Sequence, residues 1–208
     1  MELNVLYCDK DLAVCIKPAG VLSEEGGMPE LLSAQLSGKF YCVHRLDKAV
    51  GGVMVYARSS AAAAKLSSAI AQGQLGKEYL AVVRGRPEPA EGVMSDLLFK
   101  DSAKNKSYVV DRMRRGVKKA ELTYDLVGSC GGYSLVKISL HTGRSHQIRV
   151  QFASRKMPLL GDTKYGGEKA DSIALWSHSL AFPDVHTGSM REFTAPPPDS
   201  APWNDEYV

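Results

Sequence analysis

Gly, Pro and Asp clusters cut this chain into short apolar runs, too brief for long helices and well sized for strands. Leu3–Cys8 and Leu12–Lys17, separated by Asp9-Lys10-Asp11, read as strand, tight turn and strand, with Pro18 and Gly20 ending the second. Gly51-Gly52 opens a strand over Val53–Ala57, and Lys77–Val83 is closed by Gly85 and Pro87. Further strands are predicted at Val93–Phe99, Ser107–Val110, Ala120–Val127 and Ile173–Phe182, and Gly131-Gly132 reads as a hairpin turn before Tyr133–Leu140. Three segments carry helical spacing. A short helix is predicted over Leu31–Leu36 after a loop at Glu24–Pro29. A second covers Ala61–Gln72, capped by Ser59 or Ser60 and stopped by Gly73, with Ala62, Leu66, Ala69 and Ile70 on one face. The third runs from about His146 to Ser154, where Ile148 and Phe152 stand four apart. Pro196-Pro197-Pro198 reads as an extended surface stretch. Strands outnumber helices without regular alternation, and no repeat or clean linker is visible. The expected class is α+β with a mostly antiparallel sheet.

At 208 residues with 44% hydrophobic content, the chain can bury a full core, and one domain over 1–208 is expected. No apolar run approaches the roughly 18 residues of a membrane span, and the start Met1-Glu2-Leu3-Asn4 lacks the basic and apolar regions of a secretion signal. A cytoplasmic protein is expected. Cys8, Cys15, Cys42 and Cys130 stand singly, with no C-x-x-C pair, and read as small buried hydrophobes in a reducing compartment.

The net charge is +3, but it is unevenly spread. Residues 99–120 carry eight Lys or Arg against Asp101 and Asp111, a balance of +6, and residues 137–169 carry +5. Paired basic blocks are the electrostatic footprint of a polyanion partner, because phosphate contacts release counterions. A lone basic run would be a solvated loop. Two of them beside polar motifs favour nucleic acid.

Three polar constellations stand out. In Val43-His44-Arg45-Leu46-Asp47, extended backbone would turn Arg45 and Asp47 one way and His44 and Leu46 the other, presenting a charged pair to a cleft. Lys77 and Tyr79 sit two apart on a strand. The block His141-Thr142-Gly143-Arg144-Ser145-His146-Gln147-Ile148-Arg149 puts cations near a helix start. A metal site built from His141, His146 and Asp47 matches no zinc spacing. Taken singly, a structural ion pair, a core aromatic and a solvated loop are the commoner readings of these three.

Their order decides otherwise. Lys17-Pro18-Ala19-Gly20, His44-Arg45-Leu46-Asp47 followed by Gly52, Lys77-Glu78-Tyr79-Leu80-Ala81-Val82-Val83-Arg84-Gly85, Lys119-Ala120-Glu121-Leu122-Thr123-Tyr124, His141 through Val150, and Leu160-Gly161-Asp162-Thr163-Lys164-Tyr165-Gly166 follow one another along the chain. This succession resembles the RluA-type pseudouridine synthases over nearly the whole sequence. The resemblance implies isomerisation of uridine to pseudouridine in ribosomal or transfer RNA, with Asp47 as the catalytic carboxylate. It acts either as a nucleophile or by taking a ribose proton. By the same resemblance, Arg149 pairs with Asp47 and keeps it ionised, and Tyr79 stacks on the target base. Arg45 helps fill the space left when the uridine is flipped out, since a stacked base hides its glycosidic bond. Arg45, His44, Lys77, Arg144 and Gln147 are the expected RNA contacts, with Arg45 left free for RNA. No metal, no organic cofactor, a monomeric state and no separate N-terminal RNA-binding domain are expected. The chain departs from the family pattern at Val50-Gly51-Gly52, where Thr-Ser-Gly is usual, and at Gln151, where His is usual. These departures leave open an RNA-binding protein of the same fold with little or no turnover.

Overall fold

A computed structural model describes residues 2–200, 202 and 203. They form two compact units, the first built on residues up to Lys77 together with Trp176–Pro197, the second on Glu78–Leu175.

In the first unit, β4 (Gly51–Ala57) is buried at every position, as a continuous apolar run demands. It pairs antiparallel with β2 (Leu12–Lys17), which pairs antiparallel with β1 (Val5–Cys8). On its other edge β4 runs parallel to the start of β10 (Leu175–Pro183), and its end pairs with the two-residue β3 (Tyr41–Cys42). The helix α2 (Ser60–Ala71) is capped by the Ser59 hydroxyl, which accepts the Ala62 N–H at 3.1 Å. Ala62 and Leu66 of α2 pack on Val53, Val55, Leu180 and Phe182; truncating Leu66 to Ala there would cost about 2–5 kcal/mol. The helix α1 (Met28–Leu36) begins earlier than its apolar spacing suggested. The Glu30 carboxylate accepts the Gly26 and Gly27 N–H groups at 3.0 Å each, and Pro29 fits the first turn, so the loop residues Met28 and Pro29 join the helix. The strand β11 (Met190–Thr194), antiparallel to β10, went unpredicted: its residues alternate between exposed and half-buried, so it carries almost no apolar run.

The second unit is an antiparallel sheet in the order β5 (Gly76–Arg84), β9 (Tyr133–Leu140), β8 (Val117–Cys130), β6 (Glu91–Asp101), β7 (Lys106–Val110). Most strands extend a few residues beyond the runs read from sequence, because ladder pairing continues into polar positions. β8, for instance, starts at Val117 opposite Phe99 and carries a bulge between Leu126 and Gly128. One face of β6 and β8 is covered by α3 (Gln147–Ser154), whose Val150 packs on Leu98 and Ala120. Polar ties fix that helix. Gln151 donates to the Met94 carbonyl at 3.1 Å and to Asp96 at 2.7 Å, and Arg155 binds the same carboxylate at 2.9 Å. The mixed, mostly antiparallel sheets with three helices among the described residues make the class α+β.

Candidate active site

Residues 43–47 form no ladder strand, yet their side chains alternate as extended backbone requires: His44 and Leu46 are buried, Arg45 is exposed and Asp47 half-buried. The chain turns immediately afterwards, with Val50 N–H donating to the Asp47 carbonyl at 2.9 Å. The loop after β2 holds this turn from both sides of Asp47. Before it, the Ser23 hydroxyl donates to the Leu46 carbonyl at 2.9 Å and accepts the Leu46 N–H at 3.0 Å. After it, the Lys48 carbonyl accepts the Gly20 N–H at 2.8 Å and the Lys17 ammonium at 3.2 Å. Ser23 is itself anchored, its carbonyl taking the Tyr56 hydroxyl at 2.9 Å.

Lys17 is fully buried, and its ammonium also donates to the Pro18 and Val21 carbonyls at 2.9 and 2.7 Å. Burial pulls its pKa down to about 8, against the opposing pull of the Asp47 carboxylate. A lysine with three carbonyl acceptors and a carboxylate nearby is a rigid internal cation. Sequence reading placed Lys17 in a motif without giving it a part to play.

The neighbours of Asp47 settle differently from expectation. Arg45 is not free: its guanidinium pairs with Glu24 at 2.8 Å on the surface. His44 lies inside, accepting the Val55 N–H on Nε2 at 3.2 Å, while its buried Nδ1 has no hydrogen-bond partner among the described residues. Burial, reinforced by the Lys77 ammonium, pushes its pKa down to about 3, so the ring is neutral at physiological pH. Lys77 is half-buried, and burial lowers its pKa.

In the second unit, Arg149 is buried on α3 and bound at its headgroup by Asp162, Nε to Oδ2 at 2.6 Å and Nη2 to Oδ1 at 2.8 Å. This two-point ion pair is the strongest geometry available to a guanidinium. Tyr165 lies under the same guanidinium, 5.2 Å from ring centroid to Cζ. The Tyr165 hydroxyl accepts the Ser107 N–H at 2.7 Å and meets His146 Nδ1 at 2.9 Å. Burial raises the Tyr165 pKa, with the Ser107 bond and Arg149 acting against it. His146 caps α3 at φ 54, in the left-handed region that a non-glycine residue enters only when its surroundings hold it.

The loop before α3 is shaped by Gln147. Its side-chain oxygen accepts from the Thr142 hydroxyl at 2.7 Å and the Arg144 N–H at 3.0 Å, and its amide donates to the Glu121 carbonyl at 3.0 Å. Gln147 is therefore buried scaffolding in this structure, as His44 is. Arg144 is half-buried, with Nε donating to the Lys119 carbonyl at 2.8 Å. Tyr79 is buried on β5, opposite Ile138, which in turn opposes Tyr124. Among the described residues, no three His, Cys, Asp or Glu side chains gather as a metal ion would require.

Packing accounts for Gly51 and Gln151, two of the residues at which the chain departs from the family pattern. A Cβ on Gly51 would lie 2.6 Å from the Trp176 ring, and one on Gly52, at φ 125, would collide with the Ser177 backbone. The close parallel approach of β4 and β10 thus requires glycine at both positions. Gln151 is fully buried and spends its amide on β6.

Comparisons with known proteins place the chain in a family. The family described as RNA pseudouridylate synthase matches residues 11–154. The tRNA pseudouridine synthase C of Haemophilus ducreyi is 29% identical over 93% of this chain and 90% of its own. The ribosomal large subunit pseudouridine synthase D of Vibrio cholerae is 32% identical over 96% of this chain and 68% of its own. In fold, the human RNA pseudouridylate synthase domain containing 1 superposes with a TM-score of 0.84 at 22% identity, over 98% of this chain and 86% of that one. With the family match spanning the stretch from Asp11 through α3, the chain belongs to the RNA pseudouridylate synthase family.

Proposed function

We propose that this protein isomerises specific uridines to pseudouridine in transfer or ribosomal RNA, with the Asp47 carboxylate as the central catalytic group. The enzyme class, an RNA-directed isomerase, follows from family membership. The choice of RNA draws on the relatives, one named for tRNA and one for the large ribosomal subunit. The observation that carries the assignment of Asp47 is the double tether of its turn, through Ser23 to Leu46 and through Lys17 and Gly20 to Lys48. Such main-chain fixing is what a carboxylate needs if it is to meet a flipped nucleotide in one geometry.

Tyr79 and Arg149 complete the catalytic set by their motifs, Tyr79 against the target base and Arg149 as the cation. Arg45, Lys77 and Arg144 contact the RNA, and His44 and Gln147 shape the segments that carry those contacts. The reaction breaks the bond between uracil N1 and the ribose and remakes it through a ring carbon, so no net atoms enter or leave. It takes place on cytoplasmic RNA, and the enzyme acts as a monomer.

The test treats RNA from a strain lacking the gene with the purified protein and maps pseudouridine by carbodiimide labelling. At least one new modified uridine is expected. A well-folded protein that modifies no site in any RNA would overturn the reading in favour of an RNA-binding protein without turnover.

A further inference from the structure

One end of the second unit's sheet gathers cations from three separate stretches of sequence. The ladder sets the end. Phe99 stands opposite Val117, Lys100 opposite Ser107 and Asp101 opposite Lys106, so the β6–β7 turn and the start of β8 share it. The β6–β7 hairpin contributes Lys100, Lys104 and Lys106. The crossing into β8 contributes exposed Arg115, Lys118 and Lys119, with Arg114 folded over the Phe99 ring at 5.1 Å. From farther along the chain, Arg144 reaches the Lys119 carbonyl at 2.8 Å and Lys164 the Asn105 carbonyl at 3.1 Å. Acidic relief is slight: Asp101 stands 4.0 Å from Lys104, and Asp111 and Glu121 are the other carboxylates on these segments.

Tyr165 is shared between this patch and the buried Arg149. Lys106 lies 5.0 Å from the centroid of the Tyr165 ring, and Arg149 lies 5.2 Å from the same ring. A cation series of this density repels itself and weakens the fold unless a polyanion neutralises it. Three sequence stretches converging on one sheet end are not a single solvated loop.

We infer that this end of the sheet, from the β6–β7 turn to Lys164 and Arg144, is a docking surface for the phosphate backbone of the substrate RNA. The inference rests on the RNA-modifying reading above and adds where the flanking RNA is gripped. Phosphate contacts carry no sequence code, so the surface supplies affinity and register while the site chooses the uridine.

The test compares the full-length protein with a Lys104→Gln, Arg115→Gln, Lys118→Gln triple variant, and with a control triple, Lys10→Gln, Lys39→Gln, Lys169→Gln, that removes as much charge from exposed positions elsewhere. Binding of a fluorescein-labelled, unmodified tRNA transcript is followed by anisotropy over a range of salt concentrations, with the melting temperature as a check on folding. The patch variant is expected to bind about tenfold or more weakly at 0.1 M salt, with the slope of log K against log salt shallower by about two to three. The control should bind as the parent does. Equal binding and slope in the patch variant, or an equal loss in the control, would overturn the inference. Binding is read without turnover, so a parent that grips RNA through the patch yet modifies none would sink the functional reading and leave the surface standing.

Discussion

The described supports of Asp47 and Arg149 act at different points. Asp47 is positioned through its main-chain neighbours, Leu46 clamped by Ser23 and Lys48 by Lys17 and Gly20. Arg149 is seized at the headgroup itself, by both oxygens of Asp162, with Tyr165 beneath it. The difference fits the roles proposed for the two residues. A group that must act on substrate is best aimed by its backbone, while a group that supplies fixed charge is best locked at its charged end. It follows that damage around Arg149 should be felt abruptly, and damage around Asp47 in smaller increments.

The sharpest way to break the comparison is Asp162→Asn. It leaves a buried guanidinium half compensated, so stability should fall by about 3–5 kcal/mol and single-turnover rate by about 100-fold, read by urea unfolding and RNA turnover. A near-native rate would show that Arg149 does not depend on that lock. Ser23→Ala should do less. It strips partners from the buried Leu46 N–H and carbonyl, costing about 1–3 kcal/mol, and it should lower the rate by about tenfold with little change in KM; a change confined to KM would mean that Ser23 serves binding instead.

His44 offers a pH test of the first unit's packing. Its folded pKa of about 3 lies below the ordinary 6.5, so between these values the unfolded chain holds a proton that the folded chain does not. Stability from the neutral ring is complete above pH 6.5 and is lost as pH falls through that window, on the order of 5 kcal/mol at most. Unfolding from pH 7 to pH 4 should therefore show a shallower slope in His44→Gln than in the parent. The smallest effect is expected from Tyr165→Phe, which keeps the ring under Arg149 but removes the bonds to Ser107 and His146. About 1 kcal/mol of stability and a few-fold in rate should go, and a loss as large as that of Asp162→Asn would make the hydroxyl, not the ion pair, the true lock.

Much of this was legible in the sequence where the pattern is local. The paired strands β1 and β2, the capped helix α2 and the alternation of His44, Arg45, Leu46 and Asp47 all follow from near-neighbour chemistry. What escaped was long-range or polar. The Ser23 clamp spans 23 residues and the Arg149–Asp162 pair crosses a Gly-rich connector, so neither shows a spacing signal. Asp162 was visible only as a carboxylate inside a glycine-rich motif. The Arg45–Glu24 pair escaped because a surface partner of opposite charge lay in a loop that periodicity cannot place. Gly51 read as a departure until Trp176, 125 residues later, explained it.

The central claim, that Asp47 performs the chemistry, is tested most directly by Asp47→Asn. The substitution keeps the size of the side chain and both main-chain tethers but removes the ionised oxygen. Single-turnover pseudouridine formation on an RNA that the parent modifies should fall at least about 1,000-fold, with the melting temperature and RNA affinity close to the parent's. Modification at the parental rate by a folded Asp47→Asn protein would contradict the account.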